Sequence, residues 1–390
     1  MPWNETCAMR ERMKFVVECE RGEYSMAAVC RSFGISRKSG YKWVRRYETE
    51  GASGLEERSR APHNHPNAVS EEIEQLIVGA RAAHPTWGPK KLKAWLERRE
   101  PAQPWPAAST FGRILKRHGL SGPRRRRHCV APYTEPFIAT QQPNDTWCAD
   151  FKGWFRTGDG TKCHPLTISD AYSRYLIRCQ ALAKTTHELV KPLFEAAFIE
   201  CGLPRAIRTD NGAPFATRAL HGLSRLSVWW VKLGIVPERI EPGKPQQNGR
   251  HERLHRTLKQ EATRPAQRTL RAQQRRFDQF RVEYNDERPH EALGGATPRE
   301  HFRPSERPCP LREPQVQYPE GTSVRRVRSN GEIKWRGRKM YLGEALVGEL
   351  VGLEQVHERY WSVLFGPVQL AWLDDHNRTL IQPGHETKPF

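Results

Sequence analysis

Over the first third of the chain, apolar side chains recur three and four residues apart, the spacing of one helix face. Further on they give way to aromatic-rich runs with strand character. Residues 9 to 50 divide into three helices. The first carries Met9, Met13, Val16 and Val17. Ser25 caps a second that holds Val29 and Phe33 one turn apart, and Gly34-Ile35-Ser36 makes a tight turn that caps the third. In that third helix Trp43, Val44 and Tyr47 are expected to face inward. Gly40 stands against it, since a glycine inside a helix costs about 1 kcal/mol relative to alanine. Three more helices are predicted over Ser70 to Leu120. Ile73, Ile77 and Ala80 stripe the first; Leu92, Trp95 and Leu96 stripe the second; the last runs over Ser109 to His118 and ends at Gly119.

The middle of the chain mixes strands and helices. Residues 146 to 155 read as one strand with Asp150 near its middle, and Leu166 to Ser169 and Tyr175 to Cys179 as the next two. Leu189, Leu193, Ala196, Ala197 and Ile199 make Thr185 to Cys201 a helix, closed by Gly202 and Pro204. A short strand, Ala206 to Thr209, delivers Asp210 at its end, where Asn211-Gly212 sets a turn. A loop, Pro242-Gly-Lys-Pro-Gln-Gln-Asn-Gly, precedes a helix over Asn248 to Glu261. Leu270 to Tyr284 is a charged helix ended by Asn285-Asp-Glu-Arg-Pro-His, and Pro304 to Pro319 is a proline-rich linker. Beyond it, Ser323 to Val327, a turn at Ser329-Asn-Gly331 and Ile333 to Leu342 form a hairpin pattern. Glu349 to Gly352 and Tyr360 to Phe365 follow, and a small β-barrel is expected.

Charge narrows the class. The 390 residues carry 64 Lys plus Arg against 44 acids, a formal net charge of +20, which predicts attraction to a polyanion, with nucleic acid the obvious candidate. Nine cysteines without a Cys-x-x-Cys pair indicate neither a disulfide framework nor a four-cysteine zinc site. His63-Asn-His65 lacks paired cysteines too, and the Arg-, Pro- and His-rich stretch from Glu57 to Asn67 reads as a solvated linker. Glu5, Arg10, Glu11 and Arg12 interrupt any apolar signal stretch, and no run of 18 apolar residues occurs, so a soluble, cytoplasmic, nucleoid-associated protein with no membrane partner is expected. No Gly-x-x-x-x-Gly-Lys-Ser/Thr loop suggests an ATP-driven step.

Three carboxylates carry the candidate chemistry: Asp150 in Trp147-Cys-Ala-Asp-Phe-Lys-Gly, Asp210 in Arg208-Thr-Asp-Asn-Gly, and Glu252 in Asn248-Gly-Arg-His-Glu-Arg-Leu-His-Arg-Thr-Leu-Lys. A hard cation such as Mg²⁺ or Mn²⁺ takes oxygen ligands, and two of them about 4 Å apart suit in-line displacement at phosphorus. Glu252, Arg256 and Lys259 fall on one helix face, an acid beside two cations fit to grip phosphates, with Lys244 in the loop ahead. Asp170, between predicted strands, reads as structural. The third N-terminal helix, with Arg37, Lys38, Lys42 and Arg45, has the make-up of a helix-turn-helix recognition helix. Arg113, Lys116 and Arg117 project from the last helix of the second group, and the run Arg124, Arg125, Arg126 and Arg127 is fit to track phosphates. Arg325, Arg326, Arg328, Arg336, Arg338 and Lys339 would give the C-terminal region a cationic face used for DNA or for protein contact.

The three flanked acids look like the integrase-type catalytic core of bacterial insertion-sequence transposases, the DDE superfamily that also contains retroviral integrases, over about Pro143 to Ala296. The resemblance implies an RNase H-like α/β core with Asp150, Asp210 and Glu252 as ligands of Mg²⁺ or Mn²⁺, Asp150 bridging two ions. It also implies an enzyme that cuts and joins double-stranded DNA at element ends and target, acting as a homo-oligomer on DNA. The chain departs from the pattern in one respect. Forty-one residues lie between Asp210 and Glu252, and the shorter spacing common in such cores lands on Gln246, so a short insertion is expected around Leu220 to Trp230. The resulting expectation is multidomain: helix-turn-helix units over 1–56 and 68–122, the core over 143–300 and the barrel over 318–380. Rival readings are an integrase or RNase H-like nuclease of another role, and a DNA-binding regulator with an inactive core.

Overall fold

The computed structural model describes residues 7–58, 68–122, 137–217, 222–241, 247 and 249–382, and the chain divides into two compact units, Met1–Ala68 and Val69–Phe390. In the first unit α1 (Ala8–Arg21), α2 (Met26–Ser32) and α3 (Arg37–Glu50) lead into a single 3-10 turn. Ser25 and Ser36 cap α2 and α3 by accepting the N–H of Ala28 and Ser39. Phe15, Val16, Val29, Cys30 and Leu55 make the core, while Met9 and Val17 of α1 are exposed. Gly40 has a packing reason. A Cβ there would lie 2.5 Å from Cys30 Sγ and 2.9 Å from Phe15 Cζ, so the residue that argued against α3 is the one that lets it approach α1 and α2.

The second unit opens with α4 (Glu71–Ala83), α5 (Pro89–Arg99) and α6 (Ala108–Arg117), packed around Ile77, Trp87, Leu92, Leu96 and Phe111. Gly119 ends α6 at φ +70°. A six-stranded sheet follows: β1 (Thr146–Phe151), β2 (Phe155–Arg156), β3 (Lys162–Asp170), β4 (Leu176–Leu182), β5 (Ala206–Thr209) and β6 (Val236–Arg239). The single strand expected over 146 to 155 is thus two, parted by Lys152, Gly153 and Trp154. From β4 the sheet runs through β3 and β1 to β5 and β6, and β2 pairs with the start of β3. The β1–β5 and β5–β6 pairs are parallel and need crossovers, which α7 (His187–Cys201) and α8 (Arg225–Lys232) supply. Trp147 and Ala149 of β1 are buried with Phe194, Phe198, Trp229 and Trp230 on the α7–α8 side. Alternation then turns Cys148 and Asp150 to the opposite face. There α9 (Gly249–Glu261) and α10 (Leu270–Val282) cover the sheet through Leu254, Leu258, Phe277 and Phe280.

The segment around Leu220 to Trp230, where an insertion is expected, contributes to the interior. Of that segment, residues 222–230 are described, and they build core: Trp229 and Trp230 join the sheet, while Leu223, Val228 and the following Val231 join the C-terminal cluster. Helix α8 is a hub between two cores. The proline-rich stretch is likewise strapped down after the short α11 (Pro298–His301). The Leu203 N–H donates to the Arg307 carbonyl at 2.7 Å, and the Arg307 guanidinium donates to the carbonyls of Pro204, Leu233 and Gly234.

The C-terminal strands are β7 (Ser323–Arg326), β8 (Glu332–Trp335), β9 (Arg338–Tyr341), β10 (Leu350–Gln355), β11 (Tyr360–Phe365), β12 (Val368–Asp374) and β13 (Thr379–Ile381). Among the described residues the strands do not close into the expected barrel. Strand β7 pairs with β10 rather than with β8, giving an open sheet in the order β13-β12-β11-β10-β7 beside a separate β8–β9 hairpin. Their shared core is completed by Val228 and Val231 of α8, so its apolar face is covered without closure of the strands on themselves. No described helix is long and apolar enough to cross a membrane.

Candidate active site

Strands β1 and β5 run side by side with Ala149 opposite Thr209, so Asp150 and Asp210 follow at the same end of adjacent parallel strands. Both are half-buried. The Gly212 N–H donates to Asp210 Oδ1 at 3.1 Å, and a Cβ on Gly212 would lie 3.0 Å from Oδ2, so the glycine makes room for the folded-back carboxylate. Asn211 Nδ2 donates to the Ile240 carbonyl at 2.7 Å and ties this turn to the chain beyond β6. Glu252 stands exposed in the first turn of α9, on the face that also exposes Arg256 and Lys259.

Electrostatics links the three acids. Asp150 is pushed up to about 7, first by burial, then by the Asp210 carboxylate and, to a smaller degree, by Glu252; the Phe151 N–H and the Lys152 ammonium pull the other way. Like charges that raise one another's cost are relieved by a cation, and an all-oxygen donor set fits Mg²⁺ or Mn²⁺. Among the described residues no three His, Cys, Asp or Glu side chains already stand close enough to hold an ion.

Neighbouring acids are otherwise engaged. Glu238 on β6 is buried in an ion pair with Arg208 at 2.9 Å and also accepts the Ile138 N–H. Glu241 Oε1 accepts from Gln247 Nε2 at 3.0 Å, while Gln247 Oε1 takes the Glu241 N–H at 2.7 Å. Asp170 is fully buried and accepts the Asn144 N–H, the Ser173 N–H and the Ser173 hydroxyl at 2.6–2.8 Å. Burial still pushes its pKa up against those three bonds.

Two residues escaped the sequence reading. His251 and His255, one turn apart on α9, are buried and both place Nε2 2.7 Å from Thr167 Oγ1 on β3. His255 Nδ1 lies 3.7 Å from Asp150 Oδ2. Burial holds both rings neutral, His251 down at about 3 and His255 lower still, so the approach to Asp150 is not an ion pair. The signal was available: a histidine on either side of Glu252 at helical spacing.

The candidate DNA-contacting cations are spread over the chain. Arg37, Lys38, Lys42 and Arg45 are exposed on α3, with the Lys42 ammonium 4.6 Å from the Trp43 ring centre. Arg113, Lys116 and Arg117 are exposed on α6, and Arg117 is paired with Glu74. Arg124, Arg125, Arg126, Arg127, Lys244 and His63-Asn-His65 lie outside the described residues. In the C-terminal region Arg325 and Arg336 are partly spent on the Trp335 ring. The α4–α6 group also meets the core: Lys90 pairs with Glu291 at 2.8 Å, and Arg98 reaches Glu300 and the Gly295 carbonyl.

The integrase core domain family matches residues 140–245 and, in a second form, 233–298; helix-turn-helix and homeodomain-like families match 11–63 and 39–115. Residues 140–298 thus carry an integrase core domain, and the chain resembles proteins of bacterial insertion elements. It is 31% identical over 236 residues to an uncharacterized 39.2 kDa protein of insertion element IS476 from Xanthomonas euvesicatoria, covering 60% of this chain and 65% of that one. An uncharacterized 31.7 kDa protein of IS407 from Burkholderia multivorans is 29% identical over 48% of this chain and 66% of its own length. The match therefore spans just under two thirds of these two relatives. Among solved structures, the HTLV-2 integrase catalytic core domain in complex with magnesium aligns over 42% of this chain and 99% of its own, at 17% identity and a TM-score of 0.34.

Proposed function

We propose that the protein is a transposase that binds the terminal inverted repeats of an insertion element, cleaves DNA there and joins the new 3′ end to target DNA. What supports this reading is that Asp150 and Asp210 follow at the same end of adjacent parallel strands, with Glu252 exposed in the first turn of α9, while the acids nearby are held by partners of their own. Asp150, Asp210 and Glu252 would hold Mg²⁺ or Mn²⁺, which when bound supplies charge neutralisation at the phosphate and a more acidic attacking water. The protein's own part is to hold the scissile strand. Arg256 and Lys259 share the exposed face of α9 with Glu252, where they would grip phosphate, and the cations of α3 and α6 would set register on the duplex. Lys244 and the run Arg124 to Arg127 would add phosphate contacts. The reading divides the chain into helix-turn-helix units over 1–56 and 68–122, a core over 143–300 and a C-terminal module over 318–380, assembling as a homo-oligomer on DNA in the cytoplasm.

The test uses the full chain with labelled duplexes carrying element ends or random sequence. End-specific nicking and strand joining in Mg²⁺ are expected, lost in EDTA and in Asp150→Asn, with gel-shift binding retained by the variant. Nicking of random duplex alone points to a nuclease of another role. Specific binding without cleavage points to a regulator, and cleavage that persists in EDTA overturns the metal reading.

A further inference from the structure

We propose that His255 is a positioning residue for Asp150, set by a buried chain of side chains that runs Ser169–His251–Thr167–His255. The inference rests on the reading of Asp150 as a metal ligand. Every link is short and buried: Ser169 Oγ lies 3.1 Å from His251 Nδ1, His251 Nε2 lies 2.7 Å from Thr167 Oγ1, and Thr167 Oγ1 lies 2.7 Å from His255 Nε2. The two rings meet edge to face with centres 4.6 Å apart.

Counting protons orders the chain. The Thr167 hydroxyl owns one proton, so at most one of the two Nε2 atoms accepts from it and the other must donate to it. With the Ser169 hydroxyl proton given to His251 Nδ1, His251 Nε2 becomes the donor to Thr167; the reversed chain, with His251 Nδ1–H on Ser169 Oγ, would leave a lone pair of His255 Nδ1 against the Asp150 carboxylate. Thr167 then gives its proton to His255 Nε2. The remaining imidazole proton of His255 sits on Nδ1, the nitrogen 3.7 Å from Asp150 Oδ2. In this arrangement each of the four side chains has its polar atoms used, and an N–H points at the carboxylate. A further arrangement sends the Thr167 proton to the Asp150 carbonyl, at the longer distance of 3.3 Å. It would put both imidazole protons on Nε2 and turn a lone pair of His255 against a carboxylate oxygen. At 3.7 Å the Nδ1–Oδ2 pair is one small side-chain rotation from a hydrogen bond, and an Asp150 fixed on that oxygen keeps its other lone pairs for a cation.

The test reads metal binding rather than activity: Mn²⁺ titrated into the full chain without DNA, followed by electron paramagnetic resonance and by calorimetry. His255→Leu is expected to weaken Mn²⁺ binding by about 10- to 100-fold, the usual consequence of losing a partner that orients a ligand. His255→Asn, whose amide nitrogen stands where Nδ1 stood, should recover much of that loss. His255→Gln, whose amide nitrogen falls at the Nε2 position, should not. The Asn and Gln variants also serve where the Leu variant fails to fold. Melting temperatures should be equal between those two. Wild-type Mn²⁺ affinity in His255→Leu, or equal losses in the Asn and Gln variants, overturns the positioning role. Asp150→Asn binding Mn²⁺ as well as wild type would instead overturn the ligand reading itself, and this inference with it.

Discussion

Asp150 and Asp170 sit on the same strand pair, opposite Thr167 and Trp147 respectively, yet their surroundings differ completely. Asp170 is sealed from solvent with three donors on its oxygens, and through Asn144, which also accepts from the Trp147 indole, it ties the start of β1 to the end of β3. Asp150 keeps some exposure and faces two other acids. Both are pushed up by burial. What separates a structural acid from a candidate ligand is therefore what stands before it. Donors make a joint in the fold, and like charges make a place for a cation.

The widest gap should appear when acids with and without a partner are exchanged for their amides. Glu252→Gln is expected to lower strand cleavage by about a thousandfold or more, the equivalent of roughly 4 kcal/mol of barrier. Glu241→Gln, which keeps an oxygen for Gln247, should stay within about tenfold of wild type, or 1.4 kcal/mol. Parallel nicking assays with Mg²⁺ decide it, and the reverse ranking would move the third ligand off α9. Next in size is Asp170→Ala. It strands two backbone N–H groups and a hydroxyl in the interior, and should cost about 3 kcal/mol of unfolding free energy. Denaturant melts measure that loss. A loss below about 1 kcal/mol, the net worth of one ordinary hydrogen bond, would mean that the joint is not structural.

Much of this contrast was legible in the chain, and the misses have physical causes. Asp210 could be placed because Asn211-Gly212 marks a turn, though the glycine serves close approach rather than a left-handed backbone. Gly40 misled because propensity is local, whereas the crossing of α3 over Phe15 and Cys30 is not. The role of helix α8 was not legible, because it serves two cores at once, through Trp229 and Trp230 on one and Val228 and Val231 on the other. The barrel failed on partner choice: sequence shows that β7 and β8 are strands, but the β7–β10 pairing is set by contacts made far along the chain. His251 and His255 were passed over because an imidazole's meaning depends on the hydroxyls across from it, and Ser169 and Thr167 lie more than 80 residues away in the chain.

The smallest effect is also the most diagnostic, because replacing Asp150 should stabilise the fold where replacing Asp170 destabilises it. A carboxylate whose native pKa lies above its unfolded value holds its proton more tightly when folded, so the native state loses stability as pH rises between the two values. For Asp150 that window runs from its ordinary value of 3.8 to about 7. The full shift would correspond to about 4 kcal/mol at 1.36 kcal/mol per unit, and residual solvent screening at a half-buried site brings the expectation to about 1–3 kcal/mol. Asp150→Asn removes the charge. In EDTA at pH 8 it should therefore melt higher than wild type, and the gap should close toward pH 4, where the wild-type carboxyl is already protonated. Adding Mg²⁺ at pH 8 should narrow or reverse the gap, since an ion that binds only the native wild-type site stabilises it by mass action. Thermal melts at pH 4, 6 and 8, with and without Mg²⁺, give the whole pattern. An Asp150→Asn variant no more stable than wild type at pH 8 in EDTA would show that the acids do not strain one another, and the contrast with Asp170 would lose its electrostatic basis.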